Sequence, residues 1–373
     1  MLKPENADQI RASLDNGQRA VLEHLTDQAL KAGPWSVTYR RPQGGLTQAG
    51  PQDYFSEGPY WWPDPKNPSG PYIRRDGQRN PARFIDNHQD MDRLSSATLA
   101  LGIGALLLDK SGCKEHAERI LSVWFVNPET RMNSNLEHGQ AIRGVVDGRG
   151  TGLIDTVSLI HCVQGLAFLV AARAIDESVL GGVREWFSQF LRWMMTSKKG
   201  LDEKKSGNNH ATWWTAQVAA YASFLGDEAT LRMAFDHYRT YLVPDEIRPN
   251  GSCPREEERT NSLSYSCFNL DAFSVLCRIA HVHGVDLWHF EAVNGASVAK
   301  ACDYLLPFVL NPATWHGGQM EPFKPDSLVF PALAGLGLNS PTLLNAYGSF
   351  AHAKTAWNEL ISALVRSSQP RVP

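Results

Sequence analysis

A chain of 373 residues exceeds what one simple hydrophobic core usually fills, so two domains or one large repetitive architecture is expected, with a sizeable core in either case. With 43% hydrophobic and 20% charged residues, the composition is that of an ordinary soluble enzyme and excludes pervasive disorder. A formal net charge of -3 disfavours nucleic acid as a partner and leaves any anionic ligand to a local cluster of Arg, Lys and His.

In chain order, apolar residues return at three and four positions over 91–110, 113–126, 155–176, 181–196, 211–225, 228–242, 265–284, 294–309 and 342–366, and each segment predicts a helix. Strand-like alternation is scarce. Helices of this length, joined by loops rich in Gly, Pro and Asn, predict hairpins packed in series: an all-α architecture that can close as an incomplete (α/α) toroid. No boundary divides the sequence, so residues 1–373 read as one domain. Three irregular stretches, 42–90, 127–153 and 243–264, are too long for plain connections and are expected to line one cleft.

Cys113, Cys162, Cys253, Cys267, Cys277 and Cys302 form no CxxC pair, so free buried thiols are expected rather than a zinc or disulfide framework. No apolar run is long enough to span a bilayer, and no membrane partner is expected. The start, MLKPENADQI, lacks the features of a signal peptide. GxSxG, P-loop and Rossmann fingerprints are missing.

Three constellations can carry chemistry. In SGNNHATWW (206–214), Asn208 or Asn209 can cap the helix that follows, and the helix N-terminus favours a bound carboxylate. There Asn209 and His210 would hydrogen-bond the carboxylate, or His210 would act as a base; the plain alternative is a cap followed by a surface histidine. In EEERTNSLSYSCFNLDAF (256–273), Arg259 precedes Tyr265 by six residues. A cation there favours phenolate and makes a tyrosine, ordinarily titrating near ~10, a usable base. In YWWPDP (60–65) and RRDGQRNP (74–81), Tyr60, Trp61 and Trp62 can stack on sugar rings while Arg74 and Arg75 meet acidic groups, or the tryptophans pin the loop. Glu203, seven residues before His210, would pair with it or donate to a carboxylate if protonated, the plain reading being a solvated loop glutamate. Asp86, His88, Asp90 and Asp92 suit the N-terminus of a helix. His281 and His283 fall on different helical faces, which disfavours a metal.

The ordered set PYWWPDP, RRDGQRNP, NNHATWW and RTNSLSYSCFNL resembles the alginate lyase-like superfamily of polysaccharide lyases over about residues 50–335, nearest the branch that includes glucuronan lyases. The resemblance implies an (α/α) toroid, no cofactor, and cleavage of an anionic polyuronate by β-elimination. Its Asn-His pair falls on Asn209 and His210, its catalytic tyrosine on Tyr265, and its upstream arginine on Arg259. Related sequences often carry a second arginine where Asn261 stands. Glu203, Gln140, Arg149 and Glu256 follow from their surrounding segments, with Asn208 and Trp213 as further substrate-binding candidates. It also implies a secreted or periplasmic setting, a cytoplasmic one being the alternative.

Under this reading Tyr265 takes the C5 proton and returns one to O4, Arg259 favours its phenolate, and Asn209, protonated His210 and neutral Glu203 neutralise the uronate carboxylate. A glycoside hydrolase using a pair among Glu57, Asp86, Asp90, Glu203 and Glu256 is the rival class. A noncatalytic carbohydrate-binding protein is the third.

Overall fold

The periodicity around 211–225 becomes a helix because a cap starts it and a glycine ends it. The Asn208 side chain accepts from the His210 amide at 3.2 Å, and Gly226 closes the Asn209–Leu225 helix at φ 73°. Thirteen of its seventeen residues are buried, including Trp213, Trp214 and Tyr221, so it is enclosed on all sides. Each such large side chain contributes roughly 1.5–3 kcal/mol by leaving water. The helix packs against Glu228–His237 and, most extensively, against Ser262–Val282.

The computed structural model describes residues 3–42 and 48–368, so residues 43–47 of the first long loop lie outside the described residues. Among the described residues are sixteen α-helices and four short strands. Phe55–Glu57 pairs in parallel with His138–Ala141, and Trp61–Trp62 pairs antiparallel with Ile73–Arg74.

Packing separates two compact units: residues 1–25, 106–109 and 206–373 form one, and residues 26–105 and 110–205 the other. Divisions at 25–26 and 105–106 fall inside the Asn16–Ala29 and Asp86–Leu107 helices. A boundary of that kind leaves no linker composition for a sequence reading to detect. In the second unit the Asp86–Leu107 and Leu159–Ala171 helices meet backbone to backbone. A Cβ at Gly102 would stand 2.5 Å from the Gly165 carbonyl oxygen, and one at Gly165 would stand 2.4 Å from that of Thr98.

The expected helices correspond to observed ones, with differences that have local causes. The 342–366 segment is two helices, Pro341–Ser349 and Ala356–Ser367, because the chain turns extended at Phe350 and Thr355 starts a new helix by accepting from the Asn358 amide. Phe330–Gly337 escaped the periodicity because FPALAGLG is apolar throughout. Asn16–Ala29 and Lys198–Lys204 escaped it because they are largely polar. All six cysteines are free and buried. Among the described residues no single helix is long and apolar enough to cross a membrane.

Asp271, on the Ser262–Val282 helix, accepts from the Val329 and Phe330 amides at 3.0 and 2.8 Å and so caps the Phe330–Gly337 helix from outside. Burial pushes its carboxyl up to about 7, against the pull of those two N–H groups. A folded-state value above the unfolded 3.8 means stability fully present below 3.8 and lost as pH rises towards about 7. The loss is on the order of 4 kcal/mol. Asp271→Asn keeps an acceptor and removes the titration. Its unfolding free energy should therefore gain on the unaltered chain across that pH window in denaturant titrations; a difference independent of pH would refute the assignment.

Candidate active site

In the unit containing residues 206–373, the chain leading to Asn208 is held from below. Arg255 donates to the Gly207 carbonyl and to Asp245 Oδ2, both at 2.6 Å, and Gly207 sits at φ 70°. Asn208 then caps the helix as expected, and Asn209 and His210 form its first turn. His210 is half-buried. Asn209 is 1% exposed, and its amide donors are already engaged: backbone N donates to Glu256 Oε1 at 2.6 Å, and Nδ2 donates to both Glu256 oxygens at 2.9 Å. Asn209 and Glu256, both expected at the substrate, are thus brought together by the fold. The two hold each other, and Glu256 is itself 1% exposed. Burial raises the Glu256 carboxyl, while the Asn209 N–H groups and the charges of His210 and Arg259 pull it back.

The Arg259 guanidinium lies over the Tyr265 ring, its Cζ 3.9 Å from the centroid. That is a close cation–π contact rather than a surface ion pair. Arg259 reaches this place because its amide donates to the Glu256 carbonyl at 3.1 Å, and Tyr265 because the Ser262–Val282 helix starts at Asn261, whose carbonyl accepts from the Tyr265 amide at 3.0 Å. Asn261 has a structural task of its own. It is 9% exposed, its Oδ1 accepts from the Glu321 amide at 2.9 Å, and it bridges to Gln319. A buried position tied to backbone explains why an uncharged residue stands there. Trp213, expected at the substrate, is 6% exposed and packs on Phe268 at 5.1 Å, so it belongs to the core. The cause is the enclosure of its helix on every side.

Sequence reasoning missed Glu246. It is 4% exposed and accepts from Thr212 Oγ1 at 2.7 Å and Asn269 Nδ2 at 3.1 Å, linking the helix that carries His210 to the one that carries Tyr265. Burial raises its carboxyl well above the usual range. A buried acid thus joins the two helices, and Glu246 gave no signal in a segment that read as loop.

In the other unit, Gln140 sits at φ 49° and is 7% exposed. Its amide N donates to Ser56 Oγ at 2.8 Å, its Nε2 to Asp155 Oδ1 at 2.9 Å, and its Oε1 accepts from Arg149 Nη2 at 2.9 Å. The hub is Asp155, missed in the sequence, which also accepts from Tyr54 at 3.0 Å and Ser56 at 2.6 Å. Gln140 is therefore a brace for Arg149, not an open contact. Trp61 and Trp62 pair with Arg74 and Ile73, Arg149 Cζ lies 6.0 Å from the Trp61 ring, and Arg75 Cζ lies 5.2 Å from that of Trp62. Trp62 also donates to the Gln78 carbonyl at 2.8 Å, so the tryptophans do pin the loop. Tyr60 and Arg75 are half-buried beside them, their backbones joined at 2.8 Å, whereas Arg74 is exposed and paired with Asp76 at 2.7 Å. Glu203 lies on the Lys198–Lys204 helix at 2% exposure, within electrostatic reach of Arg149, which corrects the solvated-loop alternative.

Gly58 makes room for this arrangement. A Cβ there would stand 2.7 Å from Trp61 Cδ1 and 2.9 Å from Arg149 Nη2. Gly58→Ala should displace one of them, destabilise the fold by about 1–3 kcal/mol and weaken saccharide binding; unchanged melting and binding would contradict this.

Four of the five carboxylates available to a hydrolase are engaged by other groups. Glu57 is paired with Arg143 and accepts from the Phe84 amide at 2.6 Å. Asp90 is held by Arg40 at 2.7 Å and Arg93 at 2.9 Å, with Asp86 3.9 Å from Arg40. Glu256 is held by Asn209. Among the described residues no group of three His, Cys, Asp or Glu side chains could hold a metal ion.

A comparison with curated protein sequences finds no match. The crystal structure of an alginate lyase from Bacteroides ovatus is similar with a TM-score of 0.88 at 28% identity, covering 97% of each chain. Alginate lyase A1-III from Sphingomonas species A1 gives a TM-score of 0.60 at 16% identity over 97% of each chain. A histidine-to-alanine variant of alginate lyase A1-III complexed with a tetrasaccharide gives 0.61 at 16% identity, over 98% of this chain and 97% of its own. The Alginate lyase family model matches residues 43–315, well over half of the sequence. The chain therefore belongs to the alginate lyase family, as a polysaccharide lyase with a mostly helical fold of the α/α-toroid class.

Proposed function

We propose that this lyase cleaves a 4-linked polyuronate, glucuronan or mannuronate-rich alginate, by β-elimination through Tyr265. The observation that carries the reading is the Arg259 guanidinium 3.9 Å from the Tyr265 ring centroid. A cation at that distance favours phenolate, the form able to take a proton from C5. The ring then returns the proton to O4 as the bond to the leaving sugar breaks. His210, beside the Glu256 carboxylate, acts as imidazolium against the uronate carboxylate and the enolate-like charge that develops from it. Asn209 contributes by holding Glu256 in place. A tetrasaccharide complex of the related A1-III variant supports an oligosaccharide-sized substrate.

Stereochemistry limits the substrate. In β-D-mannuronate and β-D-glucuronate the C5 proton and O4 lie on one side, so one tyrosine serves as base and acid. In α-L-guluronate they lie on opposite sides and a second group is required. Polymannuronate and glucuronan should therefore be cleaved about tenfold or more faster than polyguluronate, a modest differential stabilisation of the transition state. Equal or faster cleavage of polyguluronate would exclude Tyr265 as sole proton carrier.

A further inference from the structure

The 74–83 segment contains more arginine than its acidic neighbours neutralise. Arg74 has Asp76, Arg143 has Glu57, and Arg75 rests on Trp62. Arg83, Arg79 and Arg149 have no carboxylate ion pair among the described residues. Arg149 is spent on the Gln140 amide and carbonyl oxygens, and Arg83 donates to the Asn80 carbonyl at 2.8 Å. The nearest shared anion, Asp155, lies within electrostatic reach of both Arg83 and Arg149, yet its oxygens receive Tyr54, Ser56 and Gln140 instead. Burial disfavours the charge on both guanidiniums, and a neighbouring arginine disfavours each further: Arg79 for Arg83 and Arg74 for Arg149.

These cations are nonetheless held in place. Asn80 Nδ2 donates to the Trp61 carbonyl at 2.9 Å, its backbone N donates to the Pro59 carbonyl at 2.8 Å, and its own carbonyl receives Arg83. Arg83 is thereby fixed to Asn80, whose side chain in turn holds the carbonyl of Trp61, the residue whose ring faces Arg149. Two half-buried guanidiniums whose N–H groups donate to uncharged oxygens rather than to carboxylates, beside an aromatic ring, are complementary to a sugar bearing a carboxylate.

We propose that Arg83, together with Arg149 and the Trp61 ring, forms a subsite for a uronate carboxylate, and that Arg83 selects acidic over neutral saccharides there. The proposal deepens the function above and rests on it. Arg79, exposed on the same segment, adds long-range attraction to the subsite.

The test is calorimetric binding of a mannuronate tetramer and its carboxyl-reduced, neutral counterpart to the Tyr265→Phe chain, alone and with Arg83→Gln, Arg83→Lys or Arg79→Gln added. Arg83→Gln should weaken the acidic tetramer ~tenfold or more, Arg83→Lys should recover most of that loss, and Arg79→Gln should weaken it ~two- to threefold. The neutral tetramer should bind weakly and alike throughout. Equal acidic binding in the presence and absence of Arg83→Gln overturns the proposal, as does an equal loss for the neutral tetramer, which marks a merely structural arginine. Should Arg83→Gln fail to fold, unchanged acidic binding in Arg79→Gln with a severe loss in Arg83→Lys for both tetramers overturns it. Failure of the acidic tetramer to bind the Tyr265→Phe chain overturns the subsite alone; the proposed function falls only if neither polymannuronate nor glucuronan is cleaved. Turnover of the tetramer by the Tyr265→Phe chain counts against the catalytic assignment alone and leaves the binding comparison intact.

Discussion

Tyr265→Phe should reduce elimination by about 10³-fold or more while leaving fold and saccharide affinity near those of the unaltered chain. The phenol oxygen is the only atom removed, and the ring that Arg259 covers stays. General acid–base catalysis contributes roughly 10²–10⁴-fold, and here one oxygen is assigned both transfers. The loss should therefore fall in kcat, with KM little changed, because a group acting only in the transition state contributes nothing to ground-state binding. Substantial residual kcat would mean that another group moves the proton, His210 being the first alternative.

Replacing Arg259 by Met should lower kcat by roughly 10–10²-fold, the scale of one lost charge in a partly dry site. More telling is the pH profile. Without the guanidinium the phenolate is harder to form, so the acidic limb of kcat/KM should move to higher pH and activity should partly return in alkali. Arg259→Lys should recover only part of the rate, since an ammonium keeps the charge but loses the planar stack on the ring. A uniform loss at every pH with an unmoved limb would show that Arg259 acts only on substrate binding or on packing.

Much of the site was legible because its parts are local. A cap at Asn208, the helix behind it, and an arginine six residues before a tyrosine are short-range features, and the structure preserves each of them. What could not be read is long-range. Asn209 and Glu256 are 47 residues apart and looked like two independent ligands of substrate, whereas they satisfy one another. Glu246 and Asp155 carry no motif and matter only through partners brought by folding: Thr212 and Asn269 for one, Tyr54, Ser56 and Gln140 for the other. Trp213 illustrates the opposite error. A tryptophan three residues after His210 was a candidate for substrate binding, but a helix enclosed on every face leaves its ring in the core. Phe330–Gly337 was missed because a short run that is apolar throughout carries no periodicity.

The most direct test of β-elimination is to count, on one digest of polymannuronate or glucuronan, the new reducing ends and the ultraviolet absorbance of the conjugated unsaturated uronate. Elimination predicts one absorbing end for every new reducing end throughout the digest, and none from the Tyr265→Phe chain. New reducing ends without the absorbance would mean hydrolysis and would contradict the account.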